Sequence, residues 1–442
     1  MKLTDLQGIL KDNGIVGAGG AGFPTYAKLS EKADTIILNC AECEPLLKLH
    51  RQVLETHPQE IFEALQLISK TVNAKKIYVA LKKSYVDTAN AAKPFLEFFD
   101  NIEISLLDDV YPAGDEVILT YEVTGRIVPP GDIPLSVGVM VLNVETVYNL
   151  YRAMNGRPVT RKYVTIAGEV ENPVTVRVPI GVTVGEILEL AGTITTDDPA
   201  FIIGGPMMGT LGSKANIVTK TTNAVLVLPS SHSLIRRRQS KTFIDMKRAM
   251  AACCQCSYCT SLCSRNLLGH PINPSEFMRV ASNGITNDAA PYLDAMYCSG
   301  CGLCEQYSCV QNLSPRMLLA ACKLELRKAG VKPEPQAAPV VNPNRALRQV
   351  PMSRLTSRIG LKKYNKAAPI IEAVPNFKKV TVLLSQHVGA PSVPVVKKGD
   401  TVTEKQLIAS AGEGLSVALH SPINGVVTAV GKTAIIIEKQ QV

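Results

Sequence analysis

Two runs of cysteine constrain this chain more than any other feature. Cys253, Cys256, Cys259 and Cys263 are spaced C-x2-C-x2-C-x3-C, and Cys298, Cys301, Cys304 and Cys309 are spaced C-x2-C-x2-C-x4-C. Ten of the twelve cysteines lie between Cys253 and Cys322. The first residues, Met1-Lys2-Leu3-Thr4-Asp5-Leu6-Gln7, carry neither the apolar stretch of a secretory signal nor an Arg-rich transit segment. The expected setting is cytoplasmic and reducing, where crowded cysteines point to metal and not to a disulfide framework.

The first run has the spacing of bacterial two-cluster ferredoxins, in which three closely spaced thiolates wrap one 4Fe-4S cube and the fourth ligates the other. Crossed ligation assigns Cys253, Cys256, Cys259 and Cys309 to one cluster and Cys298, Cys301, Cys304 and Cys263 to the second. A pair of zinc sites is the competing reading, but four ligands complete a zinc site and a third cysteine two residues on adds nothing to it. Ser264 and Val310 stand where a proline usually follows the last cysteine, and the second run has four intervening residues in place of three. The fourth ligand of each cluster is thus the one that spacing specifies least. Cys254 and Cys322 are left over and are expected to be small buried apolar residues.

At roughly 150 residues per domain, 442 residues make about three domains, and 46% hydrophobic with 19% charged residues suits a folded chain with real cores. No apolar run approaches the ~20 residues of a membrane span. Over residues 1–155, apolar runs (35–38, 76–81, 103–107, 139–144) alternate with helical patterns (58–69, 85–99), which predicts an α/β domain. Short β-runs and one helical stretch (184–190) make 156–233 a small α+β module. The thiol-dense segment is 234–330. Residues 331–379, with Pro333, Pro335, Pro339 and Pro343 and no periodicity, are expected to be a basic, extended linker. Residues 380–442 are predicted to be a compact β domain, with Asn424-Gly425 as a hairpin turn.

Near the N-terminus, Gly17, Gly19 and Gly22 satisfy G-x-G-x-x-G, whose missing side chains let backbone N–H groups approach a phosphate. A dinucleotide fingerprint should follow a strand, whereas the preceding residues 3–12 look helical; a plain glycine-rich turn is the bland alternative. The longer string Gly17-Ala18-Gly19-Gly20-Ala21-Gly22-Phe23-Pro24-Thr25 with Lys28 resembles the flavin and NADH loop of the complex I flavoprotein subunit and of the C component of the Rnf electron-transport complex. Three further blocks match in order: Asn39-Cys40-Ala41-Glu42-Cys43-Glu44-Pro45, Tyr111-Pro112-Ala113-Gly114-Asp115-Glu116 and Asn143-Val144-Glu145-Thr146. The resemblance implies FMN held by the glycine loop (Gly17, Gly19, Gly20, Gly22), Asn39 and Asn143, with NADH near Phe23, Lys28, Glu44 and Glu116; Glu42 completes the set. Ala41 stands where complex I has an acidic residue, so one polar contact is absent or moved. Cys40 and Cys43, an isolated C-x2-C, are expected to be unligated packing positions.

The segment from about Arg161, with Gly204-Gly205-Pro206-Met207-Met208-Gly209, resembles the soluble-ligand-binding β-grasp (SLBB) module of that same Rnf component, and core packing is expected for Met207 and Met208. The end domain resembles a biotinyl/lipoyl-type barrel-sandwich hybrid. Its hairpin reads Gly412-Glu413-Gly414-Leu415-Ser416 and has no carrier lysine, so a docking or structural role is expected, with His387 and His420 as ordinary polar residues. The flavin domain comes first and the barrel last, which is the module order of the PduS-type cobalamin reductases of propanediol-utilisation microcompartments and not that of the Rnf protein. The resemblance covers essentially the whole chain.

It implies a multidomain α/β and α+β enzyme: a complex I flavoprotein-like domain, an SLBB β-grasp, a ferredoxin-like two-cluster domain and a barrel-sandwich hybrid. NADH would reduce FMN, and two 4Fe-4S clusters would carry electrons to a corrinoid, from cob(III)alamin toward cob(II)alamin and cob(I)alamin. No catalytic acid, base or nucleophile is required, because cofactors carry the chemistry. The implied location is the microcompartment lumen or shell, with an adenosyltransferase or shell protein as further partner. One alternative is an NADH:ferredoxin component of a membrane complex, against which module order speaks. A nucleic-acid binder or bare electron carrier is the other, suggested by Arg236-Arg237-Arg238 but lacking the aromatic interleaving of single-strand binders. The net charge of +9 is uneven: residues 331–379 have ten basic and two acidic side chains and 234–248 have six and one, so the rest is net acidic. Two basic segments flanking the clusters favour docking to an acidic protein surface over nucleic-acid binding.

Overall fold

The computed structural model describes residues 1–284, 287–334, 336–373 and 375–439. Strands Thr35–Asn39, Lys76–Lys82, Ile102–Leu107 and Val139–Asn143 form a parallel sheet. In space, Thr35–Asn39 lies between Lys76–Lys82 and Val139–Asn143. Side chains alternate across the sheet as strand geometry requires. Ile36 and Leu38 pack under Leu3–Asp12, Pro58–Val72 and Val144–Met154, while Ile37 faces Leu119 of the helix Glu116–Thr124. The chain grows outward on one side of Thr35–Asn39 and returns on the other through Val139–Asn143. A crevice therefore opens where these two strands end, with Asn39 and Asn143 in register at its floor.

The second module is a six-stranded sheet built on Arg161–Gly168, Val174–Pro179, Pro199–Ile203, Thr210–Gly212 and Ala224–Pro229. Its helix Val184–Leu188 starts at a capping box between Thr183 and Glu186. The sixth strand, Ile370–Ile371, comes from the supposed linker and pairs with Val174–Pro179, while Val350–Pro351 pairs with Val110–Tyr111 of the first domain. Residues 331–379 are thus a strap stitched to two modules and not a free spacer. Short edge-pairing segments between prolines carry no periodicity, which is why their sequence looks like a linker.

The barrel has two small sheets, Lys379–Leu383, Ala434–Glu438, Gly425–Val430 and Thr401–Val402 against Val393–Pro394, Leu407–Ser410 and Leu419–His420. Asn424-Gly425 is not a hairpin turn. It carries the chain from one sheet to the other, Asn424 Oδ1 accepts from the Glu404 N–H at 2.6 Å, and a Cβ on Gly425 would lie 2.3 Å from the Glu438 carbonyl. The barrel and β-grasp share one apolar core, with Val380, Ile408 and Ile435 packed in the same cluster as Val164 and Ile166. Among the described residues no helix is long and apolar enough to cross a membrane.

The thiol segment is helical, with a small core of Ala249, Phe277, Met278, Leu318 and Leu319 that four of the motif cysteines touch. Cys322 is partly buried, as its chemistry suggests, but Cys254 is exposed and so is not the apolar filler expected. Cys40 is buried in the core of the first domain and Cys43 packs beside Leu46 and Met207.

Candidate functional site

The glycine loop closes on itself: Val16 bridges Pro24, and the Gly17 N–H donates to the Phe23 carbonyl at 2.9 Å. It follows a helix and not a strand, so it is a different device from the dinucleotide fingerprint. Thr146, at the start of Val144–Met154, holds it by accepting from the Ala18 N–H at 2.9 Å. A Cβ on Gly19 would stand 2.5 Å from Asn143 Nδ2, whereas one on Gly20 would meet nothing within 4 Å. The loop therefore presses its backbone against Asn143 and presents Gly20 to open space.

Asn39 and Asn143 are each partly committed to the protein. Asn39 Nδ2 donates to the Gly114 carbonyl at 2.9 Å. Asn143 Oδ1 caps its helix by accepting from the Glu145 and Thr146 N–H groups, and its Nδ2 stands 3.0 Å from His50 Nε2. His50 Nδ1 lies 2.8 Å from Glu42 Oε2, both side chains buried, and the His50 imidazole holds the Glu42 carboxyl below its ordinary range although burial pushes the other way. His50 has no motif around it, and only the fold brings it to this chain of contacts. Glu145 turns away from the crevice and is buried against Lys162 of the β-grasp.

All eleven cofactor-binding candidates, Gly17, Gly19, Gly20, Gly22, Phe23, Lys28, Asn39, Glu42, Glu44, Glu116 and Asn143, line one cavity of about 830 Å³. Three modules enclose it, since Gly204, Gly205 and Met208 of the β-grasp and Ser299 and Cys301 of the thiol segment complete the wall. Lys28 Nζ pairs with Glu116 at 2.6 Å. Glu44 is engaged otherwise: its two oxygens accept from the Met207 and Met208 N–H groups at 2.7 and 2.8 Å, and burial raises its pKa to about 7. A Cβ on Gly205 would fall 2.2 Å from that carboxylate. Met207 is buried as expected; Met208 is half exposed into the cavity.

The same loop is gripped from behind by the thiol segment. Arg238 donates to the Pro206 and Gly209 carbonyls at 2.5 and 2.9 Å, and Arg316 to that of Met207 at 3.0 Å. Arg237 binds the Glu305 carbonyl and Asn312. The basic run is thus spent largely on internal contacts. Asp115 caps Glu116–Thr124 and takes a bidentate bond from Arg265, two residues after Cys263; Tyr111 donates to the Cys301 carbonyl at 2.5 Å.

The motif thiols fall into two groups. Burial pushes Cys259 up to about 12, with Cys309, Cys256 and Cys253 as the neighbouring thiols that add to it. Burial likewise raises Cys263 to about 11, beside Cys298, and Cys301 to about 12, beside Cys263 and Cys298; it also raises Cys304, beside Cys298, Cys301 and Cys263. Near neutral pH such thiols keep their protons, and metal binding would displace them. Backbone N–H groups already point at sulfur, from Gly300 to Cys298 and Leu313 to Cys309, both 3.3 Å, as in iron–sulfur sites. Among the described residues no three metal-ligating side chains converge on one bare ion; an iron–sulfur cube spreads its thiolates over its corners. The donor set fits two such clusters, and the glycine-walled crevice fits a flavin phosphate and ring system.

Family models match residues 10–152 as the Nuo51 FMN-binding domain, 163–211 as an SLBB domain, 252–314 as a 4Fe-4S dicluster domain and 358–442 as the RnfC barrel sandwich hybrid domain. The last match begins inside the strap. The chain is 41% identical to cobalamin reductase PduS of Salmonella typhimurium, over 96% of this chain and 94% of that protein. It is 39% identical, with the same coverage, to cobalamin reductase PduS of Citrobacter freundii. The C component of the Na(+)-translocating ferredoxin:NAD(+) oxidoreductase complex of Acetobacterium woodii is 31% identical over 63% of this chain and 61% of its own length. Near-complete coverage at this identity, on a fold that gathers the flavin motifs round one crevice with a cluster thiol in its wall, shows that the chain belongs to the PduS cobalamin reductase family.

Proposed function

We propose that this chain is an NADH-dependent flavin and iron–sulfur reductase whose acceptor is a corrinoid, reduced from cob(III)alamin toward cob(II)alamin and cob(I)alamin. The observation that carries it is the cavity shared by the glycine loop, Lys28, Glu116 and Cys301. Bound FMN supplies the conversion of a two-electron hydride donor into single electrons, which iron–sulfur clusters accept. The protein's part is to hold and orient. Backbone of Gly17, Gly19, Gly20 and Gly22 would cradle the flavin phosphate, with Asn39 and Asn143 beneath and the His50–Glu42 pair keeping Asn143 in place. Phe23 and the Lys28–Glu116 pair stand where NADH would enter, Lys28 offsetting phosphate charge. Glu44 serves the module interlock more directly than the nucleotide. Cys253, Cys256, Cys259 and Cys309 would ligate one cluster, and Cys298, Cys301, Cys304 and Cys263 the other. Since Cys301 lines that cavity, the second set would hold the cluster that accepts electrons from the flavin site.

In balance, NADH gives up two electrons and leaves as NAD+ and a proton, and two aquocob(III)alamin molecules each take one electron and release water. We place the enzyme in a propanediol-utilisation microcompartment, with an adenosyltransferase or shell protein as neighbour. The test is NADH-driven reduction of hydroxocobalamin against reduction of ferredoxin by the reconstituted protein, watched spectroscopically under anaerobic conditions. Turnover with the corrinoid is expected; turnover with ferredoxin alone would transfer the assignment to the Rnf-type reaction.

A further inference from the structure

Between the thiol segment and the strap helix Met352–Arg358 lies a second, open groove of about 840 Å³. Tyr258, Leu262, Tyr307 and Val310 supply its apolar surface, with Tyr258 54% and Val310 50% exposed. Tyr258 directly precedes Cys259 and Val310 directly follows Cys309. Two of its apolar residues are therefore immediate neighbours of the Cys253–Cys256–Cys259–Cys309 group, none of whose thiols lines the flavin cavity, while Leu262 directly precedes Cys263 of the other group. Arg354 and Arg358, one turn apart on the strap helix Met352–Arg358, line it as well. Both are exposed, and among the described residues neither has a carboxylate partner. Residues next to both thiol groups in sequence thus share a surface with two guanidinium groups that have no carboxylate partner among the described residues.

We propose that this groove is the corrinoid site, with the macrocycle lying on Tyr258, Leu262, Tyr307 and Val310 and the nucleotide-loop phosphodiester held by Arg354 and Arg358. This rests on the corrinoid reading given above. A corrinoid presents a broad apolar face, a rim of amides that tyrosine hydroxyls can bond, and a single anionic phosphodiester. An exposed aromatic surface with a pair of guanidinium donors complements each of these. An acidic protein segment would match the arginines but would leave the apolar surface of Tyr258, Leu262, Tyr307 and Val310 without a role. The strap, whose edge pairing holds its helix against the thiol segment, thereby gains a function in the site.

The test compares hydroxocobalamin with diaquocobinamide, which lacks the nucleotide loop and its phosphodiester, on the reconstituted holoprotein. Equilibrium dialysis reads binding, and bleaching of the cluster absorbance by NADH in the same samples reports the upstream path. Wild type should bind cobalamin about tenfold more tightly than cobinamide. Arg354→Gln/Arg358→Gln should weaken cobalamin to the cobinamide level and leave cobinamide where it was, a coupling that a general structural defect does not produce. If the double variant fails to incorporate clusters, Arg354→Gln alone should show about half of the effect in logarithmic units. Equal affinity of wild type and variant for cobalamin, or equal weakening of both corrinoids, overturns the groove while leaving the acceptor standing. Absence of corrinoid binding by wild type whose clusters NADH bleaches overturns both.

Discussion

At the residue scale, two glycines separate binding from stability. Gly205 admits no Cβ because the Glu44 carboxylate occupies the space, and Glu44 in turn holds the Met207 and Met208 N–H groups. Gly205→Ala should cost about 1–3 kcal/mol in thermal or denaturant unfolding, since the loop must withdraw from a packed interlock. Gly20 has open space around it on the cavity side. Gly20→Ala should leave stability within about 0.5 kcal/mol and instead weaken FMN retention on gel filtration, because the methyl group enters the crevice. Lys220 shows a third kind of residue. It is fully buried, donates to the Gly14 and Ala418 carbonyls at 2.7 and 3.2 Å, and burial lowers its pKa from the usual 10.5 to about 7. Between those values the unfolded chain binds a proton that the folded chain does not, so stability should rise with pH from about 7 to 10. His387 and His420, the nearby titratable groups, are held neutral by burial and do not titrate in that window. Melting curves of wild type and Lys220→Met across that range would check it: the rise should flatten in the variant.

At the element scale, the decisive pieces are connections rather than helices or strands. The barrel hairpin that would bear a carrier lysine in biotinyl domains is docked: the Ser416 N–H donates to Tyr26 Oη at 3.3 Å and the Ala418 N–H to the Lys11 carbonyl at 3.0 Å. The Val388 N–H reaches the Gly22 carbonyl at 3.2 Å, so the end domain buttresses the glycine loop itself. The Cys263 turn is clamped to the flavin helix by the bidentate Arg265–Asp115 pair, largely buried. Arg265→Ala should destabilise by about 3 kcal/mol, leaving Asp115 uncompensated. Arg265→Lys retains the charge but not the fork. It should slow NADH-driven cluster bleaching while FMN content stays unchanged, in stopped-flow absorbance.

At the scale of the whole molecule, reconstituted protein should contain about eight iron atoms, eight sulfides and one FMN; zinc without visible absorption would overturn the cluster assignment. Much of this was legible in the chain. The cysteine spacing and four flavin blocks are local strings, and glycines, asparagines and thiols carry their chemistry wherever the backbone places them. Alternation of apolar runs likewise predicted the α/β domain, with Leu3–Asp12 helical before the glycine loop. Other features were not legible. His50 beside Asn143, Glu44 under Met207 and Lys220 between Gly14 and Ala418 are contacts between residues 93, 163 and as many as 206 positions apart, and no local pattern encodes them. Asn424-Gly425 has hairpin composition but joins two sheets, and the strap has linker composition but completes them, because edge pairing uses backbone groups that every residue possesses. The amino-acid sequence by itself determined which cofactors the protein can hold, since that depends on donor type and close spacing. Only the tertiary structure decided that Cys301 lines the same cavity as the glycine loop and that Tyr258 and Val310, the neighbours of Cys259 and Cys309, share a groove with Arg354 and Arg358, since those depend on how separately folded modules pack.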